Sequence, residues 1–226
     1  MSVIHPTSLN PTKLELLTPW LPTRPWFHGA GEPDLAKAGG FRLDDPRGEV
    51  GIEFIVTTDN SGAQPVTYLV PLTYRGAPLD GAEHALVGTM EHGVLGRRWA
   101  YDACHDPVAV AQLFALIEGR VQAQDQNISD TPDHDLVCSR AGDGSAVAAA
   151  AAAAKATDSV IDDREGTALG LPQGGVLRLR RVLRPAQDVP SPLAEDVTGH
   201  ISGSWRLSDG TMTRGLFAVL NAGDPT

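Results

Sequence analysis

A group of polar side chains between residues 80 and 106 has the residue types that metal or acid–base chemistry requires. Imidazole and thiolate groups are common zinc ligands, and carboxylates can complete such a site. None of the spacings matches a compact zinc motif, so we expect no metal site and interpret these histidines mainly as bonding loop carbonyls or facing solvent. The group comprises Asp80, Glu83, His84, Glu91, His92, Asp102, Cys104, His105 and Asp106.

The same region has a second interpretation, as a polar surface that contacts a small molecule or a partner protein. The arginines within and beside it carry planar guanidinium groups, which suit carboxylates and phosphates. Aromatic side chains upstream could stack on a carbohydrate, although packing in a core is the more usual role of such residues. The candidate binding residues are therefore Trp20, Trp26, Arg75, His84, His92, Arg97, Arg98, Tyr101, Asp102 and His105.

The sequence lacks the residue sets of several enzyme classes. A kinase needs a phosphate-binding loop, a lysine for the phosphates, a catalytic aspartate and metal-holding groups, and this set is missing. His105-Asp106 is followed by proline, and Asp106 is better suited to capping a helix. No G-x-S-x-G elbow is present, and carboxylate pairs among 28 acidic residues are not specific. We expect no catalytic residue and no cofactor.

Composition limits the partners and the compartment. The chain has 226 residues, 42% of them hydrophobic, and a net charge of -10, which disfavours binding to nucleic acid or to an anionic membrane. Two cysteines, Cys104 and Cys138, imply neither a disulfide framework nor a zinc knuckle. Without a secretion signal or a long apolar run, the sequence predicts a cytoplasmic protein.

The elements that position these residues begin with a short predicted helix over residues 11–17. Pro19, Pro22 and Pro25 are expected to stop it, because proline lacks the backbone N–H and favours extended geometry in the residue before it. The segment from 20 to 27 should therefore be extended. We expect its aromatic side chains to pack on a sheet.

Alternating apolar residues predict strands over 50–56 and 66–74, joined in an antiparallel hairpin with one apolar and one mixed face. Pro71 should lie at an edge or bulge, where its missing N–H is not needed. Shorter strands are expected over 85–90 and 97–101. Asp106 and Pro107 begin the strongest predicted helix, whose apolar stripe should pack on the sheet. The predicted class is α+β, a curved antiparallel sheet packed on one main helix.

The remaining sequence divides into a weak middle and a strand-rich end. Residues 127–170 read as a low-complexity linker or insertion, and they contain seven alanines at 148–154, where a helix over 145–157 is possible. Strands are predicted over 176–183 and in a hairpin around 205–212. They could extend the first sheet, because a separate unit of this size would have a thin core. Residues 1–226 are therefore expected to form a single domain.

Several of these segments occur in the order found in one family. They are the Trp26-Phe27 segment, residues 50–56 and 68–75, Leu95 to Asp102, and the helix after Asp106. Together they resemble the N-terminal cap domain of actinobacterial maltokinases and related sugar kinases. The likeness is greatest to short, stand-alone actinobacterial proteins with such a cap-like domain.

The resemblance implies a cystatin-like sheet that embraces a helix, and a non-catalytic role. Because the sequence ends where kinase lobes would begin, it implies no catalytic residue. The expected function is a binding or regulatory module in sugar or glycogen metabolism, with maltose, trehalose or amino sugars as the context. It would act on a partner such as a sugar kinase or a glycogen-metabolism enzyme, or by self-association. The alternative is a small carbohydrate- or metabolite-binding protein or enzyme that uses the polar region from Glu83 to Asp106.

Overall fold

The computed structural model describes residues 8–29, 31–140, 160–170, 175–186 and 197–221. Within them, strands dominate and two α-helices are present, α1 (Lys13–Trp20) and α2 (Pro107–Ile117). The strands are β1 (Leu9–Asn10), β2 (Leu35–Leu43), β3 (Gly51–Asp59), β4 (Val66–Arg75), β5 (Leu86–His92), β6 (Gly96–Asp102), β7 (Gln124–Asp125), β8 (Val137–Arg140), β9 (Val160–Asp163), β10 (Gly166–Gly170), β11 (Val176–Arg180), β12 (Val182–Leu183), β13 (Val197–Arg206) and β14 (Met212–Asn221).

The strands form two antiparallel sheets. The first has the order β1-β5-β6-β4-β3-β2-β7, with β12 paired to β4, and the second has the order β8-β13-β14-β11-β10-β9. The predicted α+β class with a curved, mostly antiparallel sheet is confirmed. The strands after residue 130 do not simply extend the first sheet. Except for β12, they build a second one, and their inner side chains share a core with β2, β3 and α2.

The predicted 50–74 hairpin is confirmed as β3 and β4. Its pairing places Phe54 opposite Pro71 without a register shift, so no bulge is present. On the other side of β4, the N–H of Leu69 bonds to the carbonyl of Arg181, and pairing with β6 starts only at Leu72. By the alternation of the strand, the nitrogen of Pro71 faces the gap between these two partners. The first sheet therefore loses no hydrogen bond through the missing N–H of Pro71, as predicted, although the expected bulge is absent.

The helix after Asp106 is confirmed with its predicted cap. The Asp106 carboxylate accepts the N–H of Val108 at 3.0 Å, and Pro107 occupies the first turn. Leu113, Phe114 and Ile117 are buried against the sheets. This face closes the larger core, as an amphipathic helix on a sheet does.

The prediction for the first helix is wrong at its end. α1 continues through Pro19 to Trp20, and a 3-10 turn at Leu21–Thr23 follows in place of an extended segment. Pro19 removes one backbone hydrogen bond and crowds the carbonyl four residues earlier, but its fixed φ lies in the helical range, and the packing of Leu17, Trp20 and Leu21 on the sheet offsets the cost. Thr12 and Glu15 form a reciprocal capping box that fixes the other end.

Helix α1 also explains why the hairpin has no solvent-facing side. Leu17, Trp20 and Leu21 pack on the second face of the first sheet with Trp26 and Tyr68, away from the larger core. The face expected to be mixed is thus covered, and β3 is buried along almost its whole length.

In the region expected to be a linker, residues 137–140, 160–163 and 166–170 form strands of the second sheet. The alanine tract at 148–154 and the possible helix over 145–157 lie outside the described residues. Among the helices in the described ranges, none is long and apolar enough to cross a membrane.

Candidate functional site

The structure separates the polar region predicted between residues 80 and 106 into buried and exposed parts. Asp106 is fully buried and receives two hydrogen bonds from Arg75, whose Nε and Nη2 atoms each lie 2.7 Å from a carboxylate oxygen. The same carboxylate caps α2. Arg75 and Asp106 therefore join the end of β4 to the start of the helix.

Asp102 is buried in a second ion pair that sequence reasoning did not foresee. Arg181, fully buried between β11 and β12, donates from Nη2 to both carboxylate oxygens of Asp102 at 2.8 and 2.6 Å. Its Nε donates to Thr167 at 2.7 Å, and its guanidinium lies 5.1 Å from the centre of the Trp26 ring. Burial is the largest single influence and acts to raise the pKa of Asp102, but the charge and hydrogen bonds of Arg181, the N–H of Cys104 and the charge of His105 together outweigh it, so this pKa lies below its ordinary value.

The predicted aromatic binding residues lie in the interior. Trp26 is 0% exposed and Trp20 is 7% exposed, and their rings meet edge to face at 5.8 Å. The hydroxyl of Tyr101, also buried, accepts the N–H of Leu79 at 2.9 Å. In this structure these three side chains stabilise the fold and present no ring to solvent.

Two of the predicted histidines meet at the surface. The Nε2 atom of His84 lies 3.1 Å from Nδ1 of His105, and the rings are perpendicular. Burial lowers the pKa of His105, with Asp102 opposing this effect. Across the described ranges, no group of three or more His, Cys, Asp or Glu residues is placed to hold a metal ion.

The remaining predicted residues surround the turn between β5 and β6. His92 accepts the N–H groups of Val94 and Leu95 through Nδ1, at 3.2 and 3.1 Å, and so shapes the turn. Arg97 pairs with Glu91 on the surface, and Arg98 donates to the carbonyl of Leu95. Val94 and Leu95 are 60% and 46% exposed. We call residues 92–98 the hairpin tip.

A further polar site was missed by sequence reasoning and is centred on Glu53. Its carboxylate, 5% exposed, accepts from Lys13 at 2.5 Å, from the hydroxyl of Tyr74 at 2.9 Å and from Nε2 of Gln126 at 3.0 Å. Burial, and then the charge of Glu53, raise the pKa of Tyr74 well above its ordinary value, so the phenol remains a donor. Strand alternation places Glu53 on the face beneath α1.

The Glu53 site lies in a groove of about 590 Å³ beneath the start of α1. Leu9, Leu14 and Ile55 form its apolar surface, and Lys37 lies at its side. Partial desolvation lowers the pKa of Lys37, whose ammonium also donates to Asn127 at 2.8 Å. The sequence signal for this site was a glutamate in the middle of an apolar strand. The alternation pattern alone assigned this glutamate to a mixed face.

Comparison with known proteins bears on the segment that contains β2 to β6. No curated protein matches the chain. The family model described as the maltokinase N-terminal cap domain matches residues 20–106. The segment 20–106 is therefore similar to the maltokinase N-terminal cap domain, as the resemblance predicted.

Proposed function

We propose that the protein is a non-catalytic, cap-like binding module of sugar or glycogen metabolism that acts through a protein partner. The observation that carries this proposal is the match of residues 20–106 to the maltokinase cap domain. The matched range includes five consecutive strands, β2 to β6, and ends where α2 is capped. The matched segment is thus a large, continuous part of the first sheet.

The pairing of the charged groups between residues 80 and 106 supports a binding role for this region rather than catalysis. Asp102 and Asp106 are enclosed in ion pairs with Arg181 and Arg75. A carboxylate held by an arginine in the interior has no direct access to a substrate. These two buried acidic groups therefore stabilise the fold.

The hairpin tip is the surface that we assign to the partner. Val94 and Leu95 expose apolar area beside Arg97 and Arg98, and a combination of apolar and arginine side chains is typical of protein interfaces. His92 holds the turn through two hydrogen bonds. The tip is thus presented in a defined conformation, which lowers the entropic cost of association.

The partner class that the similarity suggests is a sugar kinase, and it can be tested with maltokinase kinase lobes that lack their own cap. Sedimentation or surface plasmon resonance should detect a complex with this chain. Replacing Val94 and Leu95 together by aspartate should weaken it roughly ten-fold or more, because charges would be buried in the interface. Met212→Asp is the matched control, since Met212 is 57% exposed beside another hairpin turn.

Absence of binding to these lobes would refute the kinase partner, and equal weakening by Met212→Asp would refute the assignment to the hairpin tip. Sedimentation of the chain alone tests self-association, the other partner expected. We place this function in the cytoplasm, consistent with two free cysteines, Cys104 and Cys138.

The alternative, a small-metabolite site between Glu83 and Asp106, would depend on the His84–His105 pair, in which His84 is exposed and His105 is half-buried. Loss of a measured metabolite-binding signal in a His84→Ala variant would favour it. An unchanged signal would remove its support.

A further inference from the structure

A larger groove runs along one side of α1, where the helix and the segment that leads into β2 both line it. Its volume is about 1160 Å³, which exceeds the range of about 300–1,000 Å³ typical of small-ligand sites. A space of this size suits a segment of polypeptide better than a small molecule. We call it the α1 groove. The helix and the turn after it contribute Leu14, Glu15, Thr18, Pro19 and Pro22, and the other segment contributes Phe27, Gly29 and residues 31–35.

Much of the α1 groove is apolar. Leu14, Phe27 and Leu35 are half-buried, and they pack on the core between α1 and the first sheet. Pro19 and Pro22 are exposed beside them. These side chains would lose contact with water if another apolar surface entered the groove, which favours association.

The charges that line the α1 groove are all negative. Glu15, Glu32 and Asp34 are exposed there, and no lysine or arginine is among the described lining residues. The ion pairs between described residues include none of these three carboxylates. Glu15 uses one oxygen, Oε2, to accept the N–H of Thr12. An occupant with both apolar and cationic side chains would therefore complement the groove.

The hairpin tip has this combination of side chains. Val94 and Leu95 expose apolar area, and the side chain of Arg97 beside them is 63% exposed. Arg97 pairs with Glu91, but an exposed ion pair of this kind contributes little and can be exchanged for another. The tip and the α1 groove are thus complementary in charge, and both offer apolar surface.

The hairpin tip is too far away to enter the groove of its own molecule. The tip joins β5 to β6, whereas the α1 groove includes Leu35, the first residue of β2. Strands β6, β4 and β3 lie between β5 and β2, and four strand spacings correspond to about 19 Å. His92 also holds the tip in a defined turn. A tip that enters the groove therefore belongs to another copy of the chain.

We propose that the α1 groove receives the hairpin tip of a second copy of this chain. The apolar residues of the tip would lie on Leu14 and Phe27. Arg97 would face the carboxylates of Glu32 and Asp34. Reciprocal insertion about a two-fold axis gives a closed dimer with two such contacts.

The dimer has a consequence for regulation that rests on the proposed function, because that function assigns the same hairpin tip to a protein partner. A tip seated in the groove of a second copy is hidden from that partner. Self-association and partner binding would therefore compete. The existence of the dimer does not depend on the partner, so the two proposals can be tested separately.

Sedimentation equilibrium of the whole chain tests the dimer. We expect dimers to form below about 1 mM, in the weak range of small, transient interfaces. Glu32→Lys together with Asp34→Lys reverses the charge of the groove, and Arg97→Glu reverses the charge of the tip. Each of these variants should dimerise at least roughly ten-fold more weakly, because like charges would meet in both contacts.

An equimolar mixture of the groove variant and the tip variant is the decisive measurement. Their mixed dimer has one unaltered contact and one contact in which both charges are reversed. The mixture should therefore associate more strongly than either variant alone, and this recovery also shows that both variants are folded.

Glu49→Lys together with Asp135→Lys is the matched control. Both residues are exposed, neither lines the α1 groove or belongs to the hairpin tip, and the change in net charge equals that of the groove variant. This control should dimerise as the unaltered chain does. A loss equal to that of the groove variant would overturn the assignment to the groove.

A chain that remains monomeric up to about 1 mM would overturn the proposal, as would a mixture that associates no better than its components. Binding to the kinase lobes separates this proposal from the proposed function, since the groove variant should still bind them. Loss of that binding in the groove variant, with a monomeric unaltered chain, would give the groove to the partner and refute the second copy. Dimers without binding to the kinase lobes would support this proposal and refute the kinase partner.

Discussion

Asp102 and Arg181 form a buried ion pair that joins the two sheets, with Nη2 of Arg181 2.6 Å from Oδ2 of Asp102. Asp102 ends β6 in the first sheet, while Arg181 lies where the chain passes from β11 in the second sheet to β12 in the first. Their side chains are 2% and 0% exposed. The two residues are 79 positions apart in sequence, so the pair closes a long loop of the chain.

Replacing Asp102 by asparagine should destabilise the protein by about 3–5 kcal/mol, because it leaves the charge of Arg181 buried without a partner. Asparagine keeps an oxygen that can accept from Cys104, so the effect reports mainly on charge. Urea denaturation followed by circular dichroism measures the free energy of unfolding.

Adding Arg181→Met to Asp102→Asn should recover part of this loss, since it removes the unpaired charge.

The surface pair Arg97–Glu91, with side chains 63% and 56% exposed, is the comparison. Arg97→Met should change the free energy of unfolding by less than about 1 kcal/mol. If the Asp102→Asn variant were as stable as the Arg97→Met variant, the buried Asp102–Arg181 pair would not have the stabilising role assigned to it.

Stability should decrease as the pH falls below the ordinary histidine pKa of 6.5, because the pKa of His105 is lower in the folded protein. Burial is the main cause; Asp102 and Asp162 oppose it, and His84 and Arg181 act with it. The unfolded chain then binds the proton more readily than the folded protein does. The contribution of His105 to the free energy of unfolding is therefore fully present above pH 6.5, and it is lost as the pH falls from 6.5 through the pKa of His105 in the folded protein.

The measurement for this pH effect is the free energy of unfolding at pH 7.5 and at more acidic values down to about 5, around the histidine pKa. His105→Gln should lose less stability over that range than the unaltered chain. An identical loss in both proteins would show that another group is responsible.

Trp26 should be one of the most sensitive positions of the core. Its ring is fully buried, contacts Trp20 and Tyr68, and lies beneath the guanidinium of Arg181. Trp26→Ala should cost about 3–5 kcal/mol. Trp26→Phe should cost clearly less, because the indole N–H that it removes has no hydrogen-bond partner. Equal losses in chemical denaturation would be inconsistent with this packing.

Gly215 should not tolerate a methyl group. A Cβ atom there would lie 2.2 Å from the carbonyl oxygen of Arg184 and 2.8 Å from the Trp205 ring. We expect Gly215→Ala to destabilise the protein by at least ~2 kcal/mol through overpacking.

Gly62→Ala is the matched control for Gly215→Ala, because the nearest atom to its Cβ would be 3.5 Å away. Thermal unfolding should show this control near or slightly above the unaltered chain. Similar melting temperatures for the two variants would disprove the close contact at Gly215.

Local patterns predicted the elements whose signals are contained in short segments. The β3–β4 hairpin followed from alternation, and α2 followed from Asp106, Pro107 and its apolar spacing. The end of α1 was missed, because three prolines indicated an extended chain, while tertiary packing of Leu17, Trp20 and Leu21 on the sheet favoured helical turns.

The candidate sites depended on contacts between distant residues and were therefore harder to predict. Arg181 appeared as one of several arginines in an alternating strand, and nothing local linked it to Asp102. The role of Glu53 depends on its contacts with Lys13, 40 positions earlier, and Gln126, 73 positions later. Sequence reasoning named His92, Arg97 and Arg98 of the hairpin tip as candidates from their side-chain chemistry, but it did not predict these pairs.

The crossing of the chain at Arg181 has a consequence for dissecting the protein. A fragment that stops at residue 106, where the similarity to the cap domain stops, would lack β12, the carbonyl that receives the Leu69 N–H, and the counter-charge of Asp102. The segment that matches the cap-domain model is thus smaller than the unit that can satisfy its own interior. Residues 181–183, far along the sequence, are needed to complete the first sheet.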